Sequence, residues 1–246
     1  MQNATTIALS RLVAQQRSLD VTAANLANSS TPGFKAERML FADFLDRQKQ
    51  VDAPRGGGTL DYTQDRATYR NQEEGAITHT ANPLDLAVGG NGFFTVMTAQ
   101  GPRITRAGRF SLQPNGTIGD VDGNALLDTS GQPVRVSPAD TTLQVAGDGT
   151  LSSENGMLGK IGVVQPNNPN TLQAQGGRLF NASSATTVVA SPHIVQGALE
   201  ESNVQPIEET TKMMSDLREF QFVTQFVQAE SDRQQSAIDK LTQQKT

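Results

Sequence analysis

The residues that break helices are confined to the middle of this chain. All but one of the 22 glycines and nine of the 11 prolines lie between residues 51 and 198, whereas residues 1–28 and 207–246 contain neither. Because glycine and proline oppose helix formation, the two ends are predicted to be helical and the middle to consist of strands and turns. The sequence therefore predicts an α+β fold, with a mainly antiparallel β central domain and long N- and C-terminal helices that pair as a coiled coil.

This division gives three segments. Residues 1–50 are predicted to form the N-terminal helix and a connector, residues 51–198 the Gly-rich antiparallel β domain, and residues 199–246 the C-terminal coiled-coil helix. The first segment carries six basic and four acidic residues and the last carries five and nine, so their formal charges are +2 and −4. Opposite charges favour pairing of the two ends, although salt screens this attraction. Ends that pair with each other, or with identical neighbours, favour assembly over catalysis.

The composition argues against several classes of protein. Only 36% of the residues are hydrophobic, and no run approaches the roughly 20 apolar residues that cross a bilayer, so membrane insertion is not expected. The first 30 residues lack the pattern of a cleaved signal peptide. The chain has no cysteine, which excludes disulfides and thiolate metal sites. A net charge of −5 without clustered basic residues argues against a nucleic-acid partner.

The N-terminal segment is predicted to be helical over residues 5–26. Its apolar residues recur at helical spacing: Ala8, Leu12, Leu19, Ala23 and Leu26. This stripe is too narrow to stabilise an isolated helix, which therefore depends on tertiary or intermolecular packing. The turn-rich residues 28–33 (NSSTPG) end the helix. Residues 34–45 are predicted to be an extended or short helical connector.

The C-terminal segment is predicted to be helical over residues 206–241. Pro206 suits a first helical position, and Glu208 and Glu209 complement the positive end of the helix dipole. One apolar stripe consists of Met213, Leu217, Phe220, Val223 and Val227. Phe222 and Phe226 form a second stripe on another face, and two apolar faces indicate more than one partner. The alternative is a helix that folds back on its own domain.

The middle of the chain alternates short apolar runs with turn residues. Strands are predicted at residues 93–98, 103–105, 109–112, 117–121 and 125–127, and they continue through 143–145, Leu151 and 158–164. Asn115-Gly116 and Asp122-Gly123 are strong hairpin signals. Residues 55–58 (RGGG) are predicted to be a flexible joint, and residues 165–170 (QPNNPN) a surface loop.

Three motifs carry a family resemblance. Residues 19–28 (LDVTAANLAN) with 31–35 (TPGFK) resemble the N-terminal signature of the flagellar axial proteins of the rod and hook. Residues 80–94 (TANPLDLAVGGNGFF) resemble the second signature of this family, and residues 197–204 (GALEESNV) the third. The motifs occur in the family's order and span nearly the whole chain. Ala24 is a departure, because the family usually has asparagine there.

The resemblance implies a structural role in the bacterial flagellum. The compact size is that of the proximal rod proteins, since hook proteins carry added domains; a distal-rod or hook-type paralogue is the alternative. Members of the family leave the cell through the flagellum's own export channel without a cleaved signal, and their terminal helices line the axial tube. The implied partners are copies of this chain, other proximal and distal rod subunits and the flagellar export apparatus, in a basal-body rod that crosses the periplasm.

The apolar stripes and the first motif supply the predicted protein–protein interface. Its residues are Leu12, Leu19, Asn25, Leu26, Asn28, Met213, Leu217, Phe220, Val223 and Val227. Asn25 and Asn28 are predicted to satisfy backbone groups at the helix end, or else to be solvated surface amides. Gly33 and Gly92 are predicted to permit positive φ or close packing. Phe93 and Phe94 alternate faces of a strand, so one is expected in the core and the other at a contact.

An enzyme is the weaker hypothesis, and no catalytic residue, cofactor or metal site is predicted. His79 and His193 stand in turn-like contexts without metal-ligand spacing. Residues 89–92 (GGNG) precede a strand rather than a helix, which does not fit a phosphate-binding loop. Asp120, Asp122 and Asp128 lack the spacing of a calcium loop and are predicted to be turn carboxylates.

A surface-binding protein is the competing hypothesis from another class. In that case the β domain would bind a glycan or protein, and the helices would only form oligomers. It predicts a ligand pocket and stable oligomers in dilute solution. The rod hypothesis predicts a monomer with protease-sensitive ends and a resistant core from about Leu60 to Pro192.

Overall fold

The computed structural model of this chain describes residues 2–47, 59–176, 178–182 and 185–243. The chain divides into two compact units. The helical unit comprises Met1–Leu26, Glu37–Tyr69 and Gln205–Thr246, and the β unit comprises Ala27–Ala36 and Arg70–Val204. The α+β class is confirmed, whereas regular coiled-coil pairing of the helices stays a prediction. The joint predicted at residues 55–58 lies outside the described residues.

The first helix, α1, spans Gln2–Ala27 and contains the predicted range. It ends where the chain enters the turn at residues 28–33, as the sequence predicts. Gly33 has a φ of +71°, a left-handed conformation that glycine adopts without the steric penalty of a side chain. The connector that follows is extended, because strand β1 covers Glu37–Arg47.

The second helix, α2, spans Pro206–Gln243 and is 38 residues long, close to its predicted bounds. Pro206 occupies the first position, where its missing N–H would have had no helical partner. Glu208 and Glu209 lie in the first turn and Lys240 in the last, so both ends complement the helix dipole. No helix in the described part of the chain combines the length and apolar character needed to cross a membrane.

Eighteen strands are assigned in the described residues. After β1 they are β2 (Thr59–Arg70), β3 (Ile77–His79), β4 (Leu86–Gly89), β5 (Phe93–Thr98), β6 (Gly101–Thr105), β7 (Phe110–Leu112), β8 (Ile118–Asp120), β9 (Ala125–Leu126), β10 (Leu143–Val145), β11 (Thr150–Ser153), β12 (Gly156–Lys160), β13 (Val163–Pro166), β14 (Leu172–Gln175), β15 (Leu179–Ala182), β16 (Thr186–Val188), β17 (His193–Gln196) and β18 (Ala198–Glu200). Those predicted from the sequence are present, with ends that differ by one or two residues, and the predicted run 158–164 is divided between β12 and β13.

The β unit is built of small antiparallel sheets around one larger sheet. The larger sheet has the order β14-β15-β6-β5-β9-β8-β7, and β13 joins it by pairing with β5 and β16. Strands β10, β11 and β12 form a meander. Two further pairs, β17 with β4 and β18 with β3, join the last part of the unit to its first part. Strands distant in sequence therefore complete the fold.

Aspartates close the turns of this unit, as predicted. The carboxylate of Asp120 accepts hydrogen bonds from the amides of Asp122 (2.9 Å) and Asn124 (2.8 Å), and Gly123 between them has a φ of +85°. Asp128 accepts two amides of the next turn in the same way. These side chains replace backbone partners that a tight turn leaves unpaired.

The main core of the β unit lies on one side of strand β5. It consists of Leu86, Val88, Phe94, Val96, Phe110, Ile118, Leu126, Val134, Val136, Val145, Leu151, Ile161, Val163 and Ile194. Phe93 points to the opposite face, where it packs with Ile104 and Phe180 in a second cluster. Phe93 and Phe94 are 3% and 0% exposed, so the prediction that one of them lies at a contact is wrong. Strand β5 therefore lies between two hydrophobic clusters, one against each of its faces.

A pair of carboxylates fastens the β10–β12 meander. Glu154 accepts hydrogen bonds from the amide of Thr141 (2.7 Å) and the amide of Thr142 (2.9 Å). Asp140 accepts the hydroxyl of Ser153 at 2.7 Å. Hydrogen bonds from the Thr141 backbone hold the pKa of Glu154 down to about 2, and the Ser153 hydroxyl, first among several donors, lowers the pKa of Asp140.

Lowering the pH is expected to destabilise the β10–β12 meander more than the rest of the β unit. A carboxylate with a depressed pKa in the folded state stabilises it above the unfolded pKa, and this contribution is lost as the pH falls toward the folded pKa. For Glu154 that window runs from about 4.5 down to about 2. Amide hydrogen exchange of Thr141 and Thr142 should accelerate across it relative to that of Val96. In Glu154→Gln the extra acceleration should vanish, because no proton is taken up; an unchanged pH profile would refute the assignment.

Candidate assembly interface

Helices α1 and α2 contact each other through polar side chains within the helical unit. The Ser18 hydroxyl donates to Asp216 Oδ2 at 2.8 Å. About two turns toward the start of α1, Arg11 forms an ion pair with Glu219. The earlier residue of α1 contacts the later residue of α2, so the two helices run antiparallel. The ion pair is exposed, and exposed ion pairs contribute little to stability in water.

The end of α1 is held by a buried polar cluster. Asn25 is 1% exposed; its Oδ1 accepts from the amide of Glu37 at 2.8 Å, and its Nδ2 donates to the carbonyl of Glu37 at 2.9 Å. Nδ2 also lies 3.4 Å from Glu209 Oε2, and Glu209 Oε1 accepts from Arg38 at 2.6 Å. Asn25 therefore fastens the first residue of β1 to α1. The expectation that it satisfies backbone groups of the helix end is wrong, because the paired backbone belongs to a strand.

Beyond these polar contacts, the helix pair has an open apolar groove. It measures about 400 Å³ and is lined by Ile7, Ala8, Arg11, Phe222, Val223 and Phe226. Phe222 is 71% exposed. Other large apolar side chains of the two helices are also exposed, namely Leu9, Val13, Ile207, Met214, Leu217 and Phe226.

The predicted interface residues differ in burial. Leu19, Asn25 and Val223 are buried; Leu12, Leu26, Asn28, Met213, Phe220 and Val227 are half-buried; and Leu217 is exposed. Asn28 accepts the Thr31 hydroxyl at 3.3 Å in the turn after α1. The polar partners Ser18, Asp216, Arg38 and Glu209 are not among the predicted residues, and neither are the exposed Leu9 and Val13.

The three sequence motifs meet inside the β unit at one buried ion cluster. Lys35 of the first motif donates to Glu200 Oε1 of the third motif at 2.6 Å. Arg106 forms an ion pair with Glu200 Oε2 and donates to the carbonyl of Gly92 in the second motif. The side chains of Lys35, Arg106 and Glu200 are all 2–3% exposed. Burial lowers the pKa of Lys35, and the hydrogen bond that it donates to Glu200 opposes that shift.

Aromatic rings surround this cluster. The Arg106 guanidinium lies 5.7 Å from the ring centre of Phe93, and Phe93 packs edge-to-face on Phe180 at 5.9 Å. Arg70 lies 5.3 Å from the Phe180 ring and 5.8 Å from that of Phe34. Cations over aromatic faces gain electrostatic attraction where water is excluded.

Asn203 joins the segments by which the chain enters and leaves the β unit. Its Oδ1 accepts the amide of Ala36 at 2.7 Å. Its Nδ2 donates to the carbonyls of Asn71 at 3.0 Å and Glu73 at 2.9 Å. The amide of Asn71 in turn donates to the carbonyl of Ala36 at 2.8 Å. One side chain of the third motif thus holds residues 36, 71 and 73 together.

Two glycines of the motifs lie where there is no room for a side chain. A Cβ on Gly33 would lie 2.4 Å from the amide nitrogen of Ala107, and one on Gly92 would lie 2.8 Å from Cγ1 of Val163. Both distances are shorter than non-bonded contacts allow. The prediction that these glycines permit positive φ or close packing is confirmed: Gly33 needs both, and Gly92 needs close packing.

Gly33→Ala is expected to destabilise the protein by about 2–4 kcal/mol, since it adds overpacking to the strain of a positive φ. Gly90→Ala is the matched control. Gly90 has the same φ of +71°, but no atom lies within 4 Å of the position that a Cβ would occupy there, so this change should cost only about 1 kcal/mol. Thermal unfolding followed by circular dichroism measures both. Equal shifts in Tm would show that the close approach at Gly33 is unimportant.

No metal-ligand cluster occurs among the residues that the structure describes. His79 and His193 are exposed and lie at the ends of strands β3 and β17, so the expectation of turn-like contexts is wrong. Strand pairing places His79 opposite Ala198 and His193 opposite Gly89, where neither faces a carboxylate across the sheet.

Comparison with protein families gives matches along most of the chain. Residues 6–35 match the family model described as "Flagella basal body rod protein". Residues 87–153 match "Flagellar hook protein FlgE/F/G D1 domain". Residues 195–240 match "Flagellar basal body rod FlgEFG protein C-terminal". The fold and its three motifs thus define an axial protein of the flagellar rod and hook class.

Curated relatives narrow the class. The chain is 33% identical over 243 residues to the flagellar basal-body rod protein FlgF of Caulobacter vibrioides, covering 98% of each chain. It is 29% identical to the FlgF protein of Mesorhizobium japonicum, again over 98% of each chain, and 30% identical to the FlgG protein of Bacillus subtilis over 84% of this chain and 86% of the relative. This chain belongs to the flagellar basal-body rod protein family, and within that family it is most like the members named FlgF.

Proposed function

We propose that this chain is a structural subunit of the proximal rod of the bacterial flagellum, and that its terminal helices assemble it into the axial drive shaft. The observation that carries the proposal is the distribution of polarity on the helix pair. Polar contacts link its two helices, while the large apolar side chains of Phe222, Ile207 and Leu9 are 71%, 83% and 58% exposed. Exposed apolar side chains do not stabilise an isolated soluble protein, whereas in a subunit they can be buried against its neighbours.

The driving force of assembly is burial of these side chains between neighbours. Removal of apolar surface from water contributes about 25 cal/mol per Å², and a large apolar patch usually marks an interaction site. The open groove lined by Phe222 and Phe226 offers a concave surface to such a neighbour. Contacts that repeat from subunit to subunit without closing generate a helical tube.

Within this proposal the interface is a coiled coil of terminal helices. Its residues are Leu12, Leu19, Asn25, Leu26, Asn28, Met213, Leu217, Phe220, Val223 and Val227. The partly open Leu12, Met213 and Phe220 become buried when the neighbours arrive. Residues 1–50 and 199–246 then form the axial region, and residues 51–198 the β domain attached to it.

The partners in this proposal are copies of the chain and the adjoining proximal and distal rod subunits. Names of the relatives place those proteins in the basal-body rod, which supports the same location for this chain, across the periplasm. Delivery through the flagellar export apparatus without a cleaved signal belongs to the proposal. The role is structural and requires no catalytic group or cofactor.

The test is an in-frame deletion in the native host, with plasmid complementation. Loss of swimming, with basal bodies that stop after the inner-membrane ring and before a complete rod, is the expected result by electron microscopy. The step at which assembly stops separates a proximal from a distal position. Normal swimming with intact filaments would contradict the proposal and would favour a surface-binding role for the β domain.

A further inference from the structure

We propose that Glu200 controls when the β unit can fold, because it supplies the buried counter-charge for two cations that lie far earlier in the chain. Lys35 precedes it by 165 residues and Arg106 by 94. The β unit would then remain unfolded until residues 197–204 are present. Such an order of folding goes beyond the proposed structural role.

Both oxygens of Glu200 are fully engaged. Oε1 accepts from Lys35 Nζ at 2.6 Å and from the amide of Gly75 at 2.9 Å, and Oε2 accepts from Arg106. A second carboxylate, Glu74, lies 3.7 Å from Arg106, but its side chain is 48% exposed. Glu200 is therefore the buried anion of the cluster, with a side chain that is 2% exposed.

The two cations cannot be buried at low cost without that anion. Lys35 and Arg106 become 2–3% exposed in the folded unit, and burial of an unpaired charge is strongly unfavourable. Removal of one partner from a buried ion pair shifts a folding equilibrium by about two to four orders of magnitude. A partly formed β unit that lacks residue 200 carries this penalty for two cations.

Residues 193–204, which we call the late segment, also complete two sheets. Strand β17 pairs with β4 and strand β18 with β3, and Ile194 belongs to the main core. The amide of Gly197 donates to the carbonyl of Asp85 at 2.8 Å. The charge pairing at Glu200, these two strand pairs and the core contacts of Ile194 therefore all require residues 193–204.

Folding control of this kind suits a chain that must travel through a narrow channel, and this consequence rests on the proposed function. A β unit that folds from an incomplete chain would block such passage. Whichever end of the chain enters first, Lys35 and Glu200 meet only after both have left the channel. Residues 197–204, the third motif, would then be the last residues that the β unit needs in order to fold.

The test uses the purified full-length chain and pulse-labelled hydrogen exchange during refolding from urea. It compares the core amides of Val96 and Leu126 with the late-segment amides of Ile194 and Ala198. In the native chain both sets are expected to become protected in one kinetic phase. Earlier protection of the core amides would overturn the proposal.

Two variants separate charge from strand pairing. Glu200→Gln keeps the shape but deprives Lys35 and Arg106 of their buried carboxylate, so the folding equilibrium constant should fall about a hundredfold or more; an unchanged constant would overturn the proposal. Lys35→Met/Arg106→Met/Glu200→Met removes the three buried charges of the cluster and is expected to fold with its core amides protected before those of the late segment. A defect in swimming plays no part in these readouts, so failure of the rod assignment would be distinguished from failure of this inference.

Discussion

Phe222→Asp is expected to abolish swimming while the protein itself remains folded. The side chain is 71% exposed and lines the groove between α1 and α2. A surface substitution of this kind changes the free energy of unfolding by only about 0.5 kcal/mol. In an assembled rod, however, the same carboxylate would be buried without a partner, which is strongly unfavourable. Soft-agar swimming and electron microscopy of basal bodies measure the effect.

Gln221→Asp is the matched control, because Gln221 is the neighbouring exposed residue of the same helix and is polar already. It introduces the same charge one position away from the groove and should leave swimming near the native level. Immunoblots and circular dichroism establish that both variants are present and helical. Normal rods in Phe222→Asp cells would show that the groove is not an assembly surface, and equal loss in both variants would indicate a general effect of charge on α2.

The polar contacts between α1 and α2 explain why the groove can stay open in a free subunit. Ser18 with Asp216 and Arg11 with Glu219 hold the helices side by side, and Phe222 and Phe226 stay exposed although Leu19 and Val223 are buried. An exposed ion pair such as Arg11 with Glu219 contributes about 0.2–1 kcal/mol. A weak internal contact can be rearranged when a neighbour binds, whereas an apolar seam buried inside one subunit would compete with assembly.

Much of the fold follows from local sequence signals. The boundary of α1 is set by the turn residues 28–33, and that of α2 by Pro206 and the acidic first turn. The hairpin strands follow from Asn-Gly and Asp-Gly turns, where Gly116 and Gly123 have φ values of +77° and +85°. These features act within a few residues, which is why a single sequence predicts them.

The interface is harder to predict, because the apolar periodicity of a helix does not say which stripe its nearest neighbour covers. Leu217 is predicted at the seam but is 42% exposed, while Ser18 and Asp216 lie between the helices. The sequence does contain a signal, since Arg11, Ser18 and Asn25 recur every seven residues. A search for polar heptads beside apolar ones would find it.

The ion cluster of the β unit is hard to predict because its residues are far apart in the sequence. Lys35 and Arg106 are separated by 165 and 94 residues from their common partner Glu200, and no local propensity connects them. Lys35 and Glu200 lie in the first and third motifs, and Arg106 lies in the range matched by the second family model, yet these matches do not reveal that a charge is buried. Their roles require the topology in which β17 and β18 return to β4 and β3.

Phe94→Ala is expected to remove about 3–5 kcal/mol from the free energy of unfolding of the β unit. Phe94 ends the second motif, is 0% exposed and packs edge-to-face on Phe110 with ring centres 5.4 Å apart. Truncation removes the apolar contacts of the ring and leaves a cavity that a close-packed core fills only in part. Since small proteins are stable by about 5–15 kcal/mol, the loss is a large share of the total. Urea unfolding monitored by circular dichroism measures it.

Two further substitutions show whether the effect comes from the cavity. Phe94→Leu keeps most of the apolar volume and should cost clearly less, roughly 1–2 kcal/mol. Leu112→Ala shortens a side chain that is 47% exposed and should change the free energy of unfolding by about 0.5 kcal/mol or less. If Phe94→Ala and Leu112→Ala were equally mild, strand β5 could not be the centre of the core. A severe effect confined to Phe94 would instead mean that the second motif is retained for packing, so that the β unit depends on its core and the rod contacts depend on the helices.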